Sequence, residues 1–259
     1  MYITKRTVLA AAVAVMAFGV GSAAAQTKLR IGTEGAYPPF NSLTADGKLE
    51  GFDIDIAKAL CEEMKVECEF ITQDWDGIIP ALQAGKFDAI IASMSITDER
   101  KKQVDFTHKY YNTPPAIAVP KDSDIKGVTK ADLAGKTIGV QGSTSHSNYA
   151  EATYTDSEIR GYPTADEYKL DLVNGRIDAV NDDIVVLSDW LATPDGACCR
   201  IAGTITPVIE FHGEGAGIAI RKGETELAAK FNAAIDAIRA NGKYKEINDK
   251  YFSFDAYGG

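Results

Sequence analysis

Histidine is scarce in this chain. His108, His146 and His212 are the only three, and there are four cysteines. No histidine stands at ligand-like spacing from a cysteine, so a zinc or other His/Cys metal centre is not indicated. A Gly-x-x-x-x-Gly-Lys-Ser/Thr phosphate loop is absent, which removes P-loop ATP hydrolysis from the candidate activities. The Gly-x-Ser-x-Gly elbow of a serine hydrolase is absent too, and no motif places a histidine as a general base. Positive charge is short: 27 Lys and Arg stand against 37 Asp and Glu, a net −10. Such a chain does not hold nucleic acid by neutralising phosphates, whereas its field favours cationic solutes. After the first twenty residues, no apolar run approaches the length of a membrane span.

What is present begins with residues 1–25, MYITKRTVLAAAVAVMAFGVGSAAA, which read as an export signal. Lys5 and Arg6 form the charged region, Val8 to Val20 the apolar run, and Ala23-Ala24-Ala25 the small-residue cleavage site. An uncleaved anchor is the competing reading, and the apolar run is short for one. Removal of this segment takes two cations and no acid, so the net charge falls to −12 and 234 residues remain. That length suits one large domain or two small ones. The mature protein is expected to be soluble and periplasmic. In an oxidising compartment, Cys61 and Cys68 can staple a helix end to the next strand, worth about 2–3 kcal/mol for so short a loop. Two free buried thiols are the alternative. For the adjacent Cys198 and Cys199, a vicinal disulfide and a reduced pair both stay open.

Short apolar runs alternate with helical patterns, which argues for an α/β fold. LRIGTEG reads as a strand ending in a glycine turn. FDIDIAKALCEEM places Ile56, Leu60 and Met64 on one helical face. WDGIIPALQAG is a helix closed near Gly85, and KFDAIIAS is a buried strand. The tail reads as largely helical, with Leu227, Phe231, Ala234 and Ile238 on one stripe and a break at Gly242. Two segments share one plan. ALQAGKFDAIIAS (81–93) and DLVNGRIDAVNDD (171–183) each run from a helix through a glycine, Gly85 or Gly175, into a strand that ends in polar residues. This suggests two lobes, each presenting polar groups past a strand's C-terminal end, where open α/β sheets bind ligands.

TEGAYPPFN, GFDIDIAKALC, WDGIIPAL, ASMSITDERKKQVDF, GVQGST, GRIDAVNDD and GAGIAIRKGETEL occur in this order across the mature chain. Together they resemble the periplasmic solute-binding proteins of polar amino-acid ABC importers, nearest their lysine/arginine/ornithine- and histidine-binding branch. The resemblance implies a two-lobe periplasmic-binding-protein (Venus-flytrap) fold with two hinge crossings, near residues 112–115 and 206–212. Residues 26–113 and 208–259 would form the first lobe and 114–207 the second.

An amino-acid zwitterion needs a cation for its carboxylate and acceptors for its ammonium. Arg100 can grip a carboxylate bidentately, as a lysine could not. Thr97 suits an N-cap, with Asp98 and Glu99 in the first turn. An arginine so early in a helix sits against the dipole, which favours a functional role over pairing with Asp98 or Glu99. Gly142-Ser143-Thr144 follow a strand and open a helix, so their N–H groups can cap the same carboxylate. By resemblance, Asp182 takes the ammonium, with Asp183 a rival, and Ser93 and Ser95 add acceptors. Tyr37 and Trp75 match two rings that sandwich the ligand side chain, and an aromatic face attracts a guanidinium or ammonium. Core packing is the competing role for both. Glu34 matches an acidic position that meets the far end of a cationic substrate.

Relatives often carry Asp at the Glu34 position, Ser at Ala92, another ring at Trp75 and Gln at Ser145. These departures leave arginine, ornithine, lysine and histidine open, with the planar guanidinium of arginine favoured by the Trp lid. They make an opine carrying arginine conceivable, although Asp182 suits a free ammonium better. The expected action is hinge closure on the amino acid and delivery to a membrane ABC permease by a monomer, with no catalysis and no cofactor. A periplasmic sensor or a dehydratase on the same fold are the rival readings.

Overall fold

The computed structural model describes Tyr2 and residues 28–258. The export segment expected at 1–25 lies outside the described residues, Tyr2 apart. In the first half, β1 (Lys28–Thr33) leads into a small antiparallel sheet of β2 (Ala36–Tyr37), β3 (Asn41–Leu43) and β4 (Leu49–Glu50). Then come α1 (Phe52–Glu63), β5 (Glu67–Thr72), a single 3₁₀ turn (Trp75–Gly77), α2 (Ile78–Gln83), β6 (Ala89–Ile90), α3 (Asp98–Lys101) and β7 (Val104–Tyr111). The second half holds β8 (Pro115–Pro120), α4 (Lys130–Leu133), β9 (Thr137–Gln141), α5 (Ser145–Thr153), β10 (Glu158–Tyr162), α6 (Ala165–Val173), β11 (Ala179–Asp183), α7 (Ile184–Leu191) and β12 (Cys199–Thr204). After α8 (Ile209–His212), the chain returns to the first sheet through β13 (Ala216–Arg221) and ends in α9 (Thr225–Ala240) and α10 (Lys243–Tyr251).

Two five-stranded sheets result, ordered β5-β1-β6-β13-β7 and β10-β9-β11-β8-β12. The orders correspond strand for strand. β6 runs parallel to β1 and antiparallel to β13, just as β11 runs parallel to β9 and antiparallel to β8. The two repeated segments therefore form the central strand of each sheet. Gly85 and Gly175 take φ of 76° and 67° at the end of the preceding helix, a left-handed turn that a Cβ would disfavour.

Both faces of each sheet are covered, so the central strands read as unbroken apolar runs rather than alternating ones. In β8, Ile117 and Val119 pack with Ile138, Val140, Ala150 and Tyr154 on the α5 side. Ala116 and Ala118 face the opposite side with Tyr168, Leu172, Val186 and Trp190. The first sheet packs α1 and the tail helices on one face and α2 on the other. On the stripe read in the tail, Phe231, Ala234 and Ile238 are buried and Leu227 is partly so. Gly242, at φ 87°, separates α9 from α10. Disulfides join Cys61 to Cys68 and Cys198 to Cys199. Among the described residues no helix is long and apolar enough to cross a membrane.

Candidate functional site

The chain leaves the first sheet after Tyr111 and enters the second at Pro115; it leaves the second after Thr204 and re-enters the first at Ala216. Between the sheets lies a small cavity. Nine sequence-predicted residues line it: from the first sheet's side Glu34, Tyr37, Trp75, Ala92, Ser93, Ser95 and Arg100, and from the second Thr144 and Ser145. Gln141 and His146 line it as well, and the motif reading missed both.

Arg100 is set by its local fold. Thr97 accepts a hydrogen bond from the Arg100 N–H at 3.3 Å and starts a four-residue helix, with Asp98 and Glu99 in its first turn. Among the described residues the guanidinium pairs with neither of those acids. It donates to two carbonyls, Ser95 O at 3.1 Å and Ser143 O at 3.2 Å, and lies 5.2 Å from the centre of the Trp75 ring. Arg100 is buried, and burial lowers its pKa to about 10, with Glu99 opposing. Among the described residues no carboxylate forms an ion pair with it. A buried cation held only by carbonyls is strongly under-compensated.

Asp182 sits at the exit of β11, 2% exposed and just behind the cavity surface. The Tyr37 hydroxyl donates to its Oδ1, the Tyr168 hydroxyl to its Oδ2, and the Asp183 N–H to Oδ1 at 2.7 Å. His146 Nε2 stands 3.4 Å from the same Oδ1. The neighbouring Asp183 is committed to structure: it accepts from Thr113 and caps α7 through the Val185 N–H. Burial pushes its carboxyl up to about 7.

At the far end, Glu34 Oε1 accepts from Gln141 Nε2 at 2.6 Å, and Gln141 also donates to Pro163 O at 3.0 Å. Burial raises the Glu34 carboxyl to about 7; the Gln141 bond opposes this, while Asp182, Asp74 and Asp76 add to it. Trp75 is half-buried, with Nε1 donating to Ser143 O at 3.1 Å.

Two predicted residues lie off the cavity wall. Asp182 is the first, reached through the Tyr37 hydroxyl. Ser143 is exposed and turns its carbonyl, not its N–H, towards Arg100 and Trp75. The Thr144 N–H is taken by Ser147 Oγ in a capping box. The helix N-terminus therefore offers the N–H groups of Ser145 and His146, one to two residues later than the motif suggested. Ser93 donates its hydroxyl to the buried Asp53 at 3.0 Å, where Asn41 and Tyr110 also donate. Burial raises the Asp53 carboxyl to about 6. Ser93 and Ser143 both hold positive φ, 54° and 57°, at about 1–2 kcal/mol each for a residue with a Cβ. Ser95 meets Ser145 hydroxyl to hydroxyl at 3.1 Å across the cleft.

The family model for bacterial extracellular solute-binding proteins, family 3, matches residues 29–254. An L-arginine-binding protein of Pseudomonas aeruginosa is 51% identical over 257 residues, 98% of this chain and 99% of that one. A histidine-binding periplasmic protein of Salmonella typhimurium is 40% identical over 240 residues, 92% of each chain. Among solved structures, an ancestral arginine-binding protein bound to arginine matches with a TM-score of 0.81 at 40% identity, covering 88% of this chain and 99% of that one.

Proposed function

The chain belongs to the family 3 bacterial extracellular solute-binding proteins, and on that premise we propose that its cleft takes up a free cationic L-amino acid and delivers it to a membrane ABC permease. L-Arginine is favoured over ornithine, lysine and histidine. The observation that carries this reading is Arg100, a buried guanidinium without a carboxylate partner among the described residues, opening on a cavity whose far end holds a second ionisable group, Glu34.

An α-carboxylate answers the Arg100 guanidinium, helped by the Ser145 and His146 N–H groups at the start of α5. The α-ammonium goes to Asp182, with Ser95 as a further acceptor. The side chain then runs between Tyr37 and Trp75 to Glu34. A guanidinium there restores the Glu34 charge that burial disfavours, and a neutral side chain does not. Ala92 and Ser145 are small and leave width for a planar group.

Residues 26–113 and 208–259 form one lobe and 114–207 the other. Arg100, Trp75, Tyr37 and Glu34 belong to the first; Asp182, Gln141, Ser143 and Ser145 belong to the second. Every bond between these two sets exists only when the lobes are closed, so ligand contacts to both sets stabilise closure. The periplasm is the site of action, the protein works as a monomer, and the closed face is what the permease reads. The test is calorimetry of ligand-stripped protein against arginine, ornithine, lysine, histidine, glutamine and octopine. Tight binding of the free cationic amino acids, arginine first, supports the reading. Binding of octopine alone overturns the role of Asp182 as the site of a free ammonium.

A further inference from the structure

Behind Tyr37 a second small cavity adjoins the first and shares Tyr37, Ser93, Ser95, Ser145 and His146 with it. His146 stands where the two meet. It is the second residue of α5, and its side chain is 15% exposed. Nε2 faces Asp182 Oδ1 at 3.4 Å. Nδ1 is buried without a hydrogen-bond partner. At this distance a protonated ring forms an ion pair with the carboxylate, the same charge contact an ammonium makes.

We infer that His146 stands at the place on Asp182 that the ligand's α-ammonium needs, so that binding displaces the ring and expels its proton whenever it carries one. The inference rests on Asp182 being the ammonium site. Its consequence is proton-linked affinity. With the ligand in place, an imidazolium would lie beside the ligand's cationic nitrogen and lose its share of Asp182. The ring therefore leaves neutral and the proton goes to solvent.

The groups facing His146 from each packed element fit this. Asp182 and Asp183 come from β11, with Asp183 bonded elsewhere and so not a strong competitor for the ring. Arg100 comes from α3 and opposes the ring's charge. Tyr37 and Tyr168 present hydroxyls already donated to Asp182. His212, from α8, lies 6.1 Å away between ring centres, and its Nδ1 accepts from the Val208 N–H at 3.0 Å. Burial, with the charge of His146, lowers His212 to about 4, so it stays neutral over most of the relevant range. For His146 itself, burial outweighs the pull of Asp182 and lowers the pKa. The proton-linked regime then lies on the acid side of neutrality.

The experiment measures L-arginine affinity by calorimetry from pH 8 to pH 5 for the wild type, His146→Asn and Asp182→Asn. Glu34 also titrates here, but equally in the wild type and His146→Asn, so the ratio of their dissociation constants isolates His146. The inference expects a constant ratio near pH 8. Below the His146 pKa, the wild type should weaken relative to His146→Asn, approaching about tenfold per pH unit at the limit. The wild type should also release up to one more proton per ligand. A ratio that stays constant with pH, while Asp182→Asn weakens binding, overturns the role of His146 alone. Undiminished binding by Asp182→Asn overturns the ammonium assignment and this inference with it. A wild-type measurement guards against a misfolded variant: the His146 ring resonances, followed by NMR, should titrate at lower pH with arginine bound than without. An unchanged midpoint contradicts the inference.

Discussion

The central strands of the two sheets are built alike and end differently. Both follow a helix and a left-handed glycine, and both hold the same place in the strand order. β6 exits into Ala92, Ser93 and Ser95, small groups that clear space, and the chain then supplies one cation, Arg100. β11 ends in Asn181, Asp182 and Asp183, all buried. One scaffold thus carries opposite charges on opposite walls of one cleft. A zwitterion needs both, so neither wall alone is a good site. On the proposed reading, specificity for amino acids and closure of the lobes share one physical cause.

Several substitutions break or sharpen that contrast. Arg100→Ala removes the first wall's charge and should cost about 2–5 kcal/mol, roughly 30-fold to several-thousand-fold in Kd for L-arginine. Thermal unfolding should remain cooperative, since among the described residues Arg100 has no ion pair whose loss would strand a carboxylate. Asp182→Asn removes the second wall's charge but keeps an oxygen for Tyr37 or Tyr168. Its loss should be smaller, about 1–3 kcal/mol by calorimetry. An effect on one wall only would mean that the ligand is not held as a zwitterion.

Glu34→Gln sharpens the comparison by leaving both walls intact and altering the far end. It should weaken arginine about tenfold or more and glutamine little. The sign of its pH effect follows from burial. The free protein holds Glu34 near 7, and a bound guanidinium lowers that value. Arginine affinity should therefore fall as pH drops through 7, and this part of the slope should vanish in Glu34→Gln. The smallest effect on binding is expected from Cys61→Ser with Cys68→Ser, remote from the cleft. Denaturant unfolding should show a loss of about 2–3 kcal/mol, with arginine affinity unchanged within about twofold.

Much of this was legible in the residues. The helix–glycine–strand repeat marks the two central strands because glycine at positive φ and a fully buried strand are local demands. Arg100 was legible because an arginine in the first turn of a capped helix has no local reason to be there. Other features were hidden because they depend on the two halves meeting. Gln141 matters through Glu34, 107 positions away, and its only local sign is a polar side chain at the end of a strand. Tyr168 reads as ordinary helix core, and nothing in its own segment announces a bond to Asp182. His146 was set aside for want of a ligand-like spacing. KFDAIIAS reads as a long strand, but its regular strand spans Ala89–Ile90; Ser93 turns to positive φ, and Ser95 then bridges to Ala216.

On the proposed reading, the cleft grips both charges of a free α-amino acid. Calorimetry of L-arginine beside agmatine, which lacks the carboxylate, and Nα-acetyl-L-arginine, which lacks the ammonium, tests it most directly. The account predicts that arginine binds at least 100-fold more tightly than either analogue, with Arg100→Ala losing most of its preference over agmatine and Asp182→Asn most of its preference over the acetylated form. Comparable affinities for all three ligands in the wild type would contradict it.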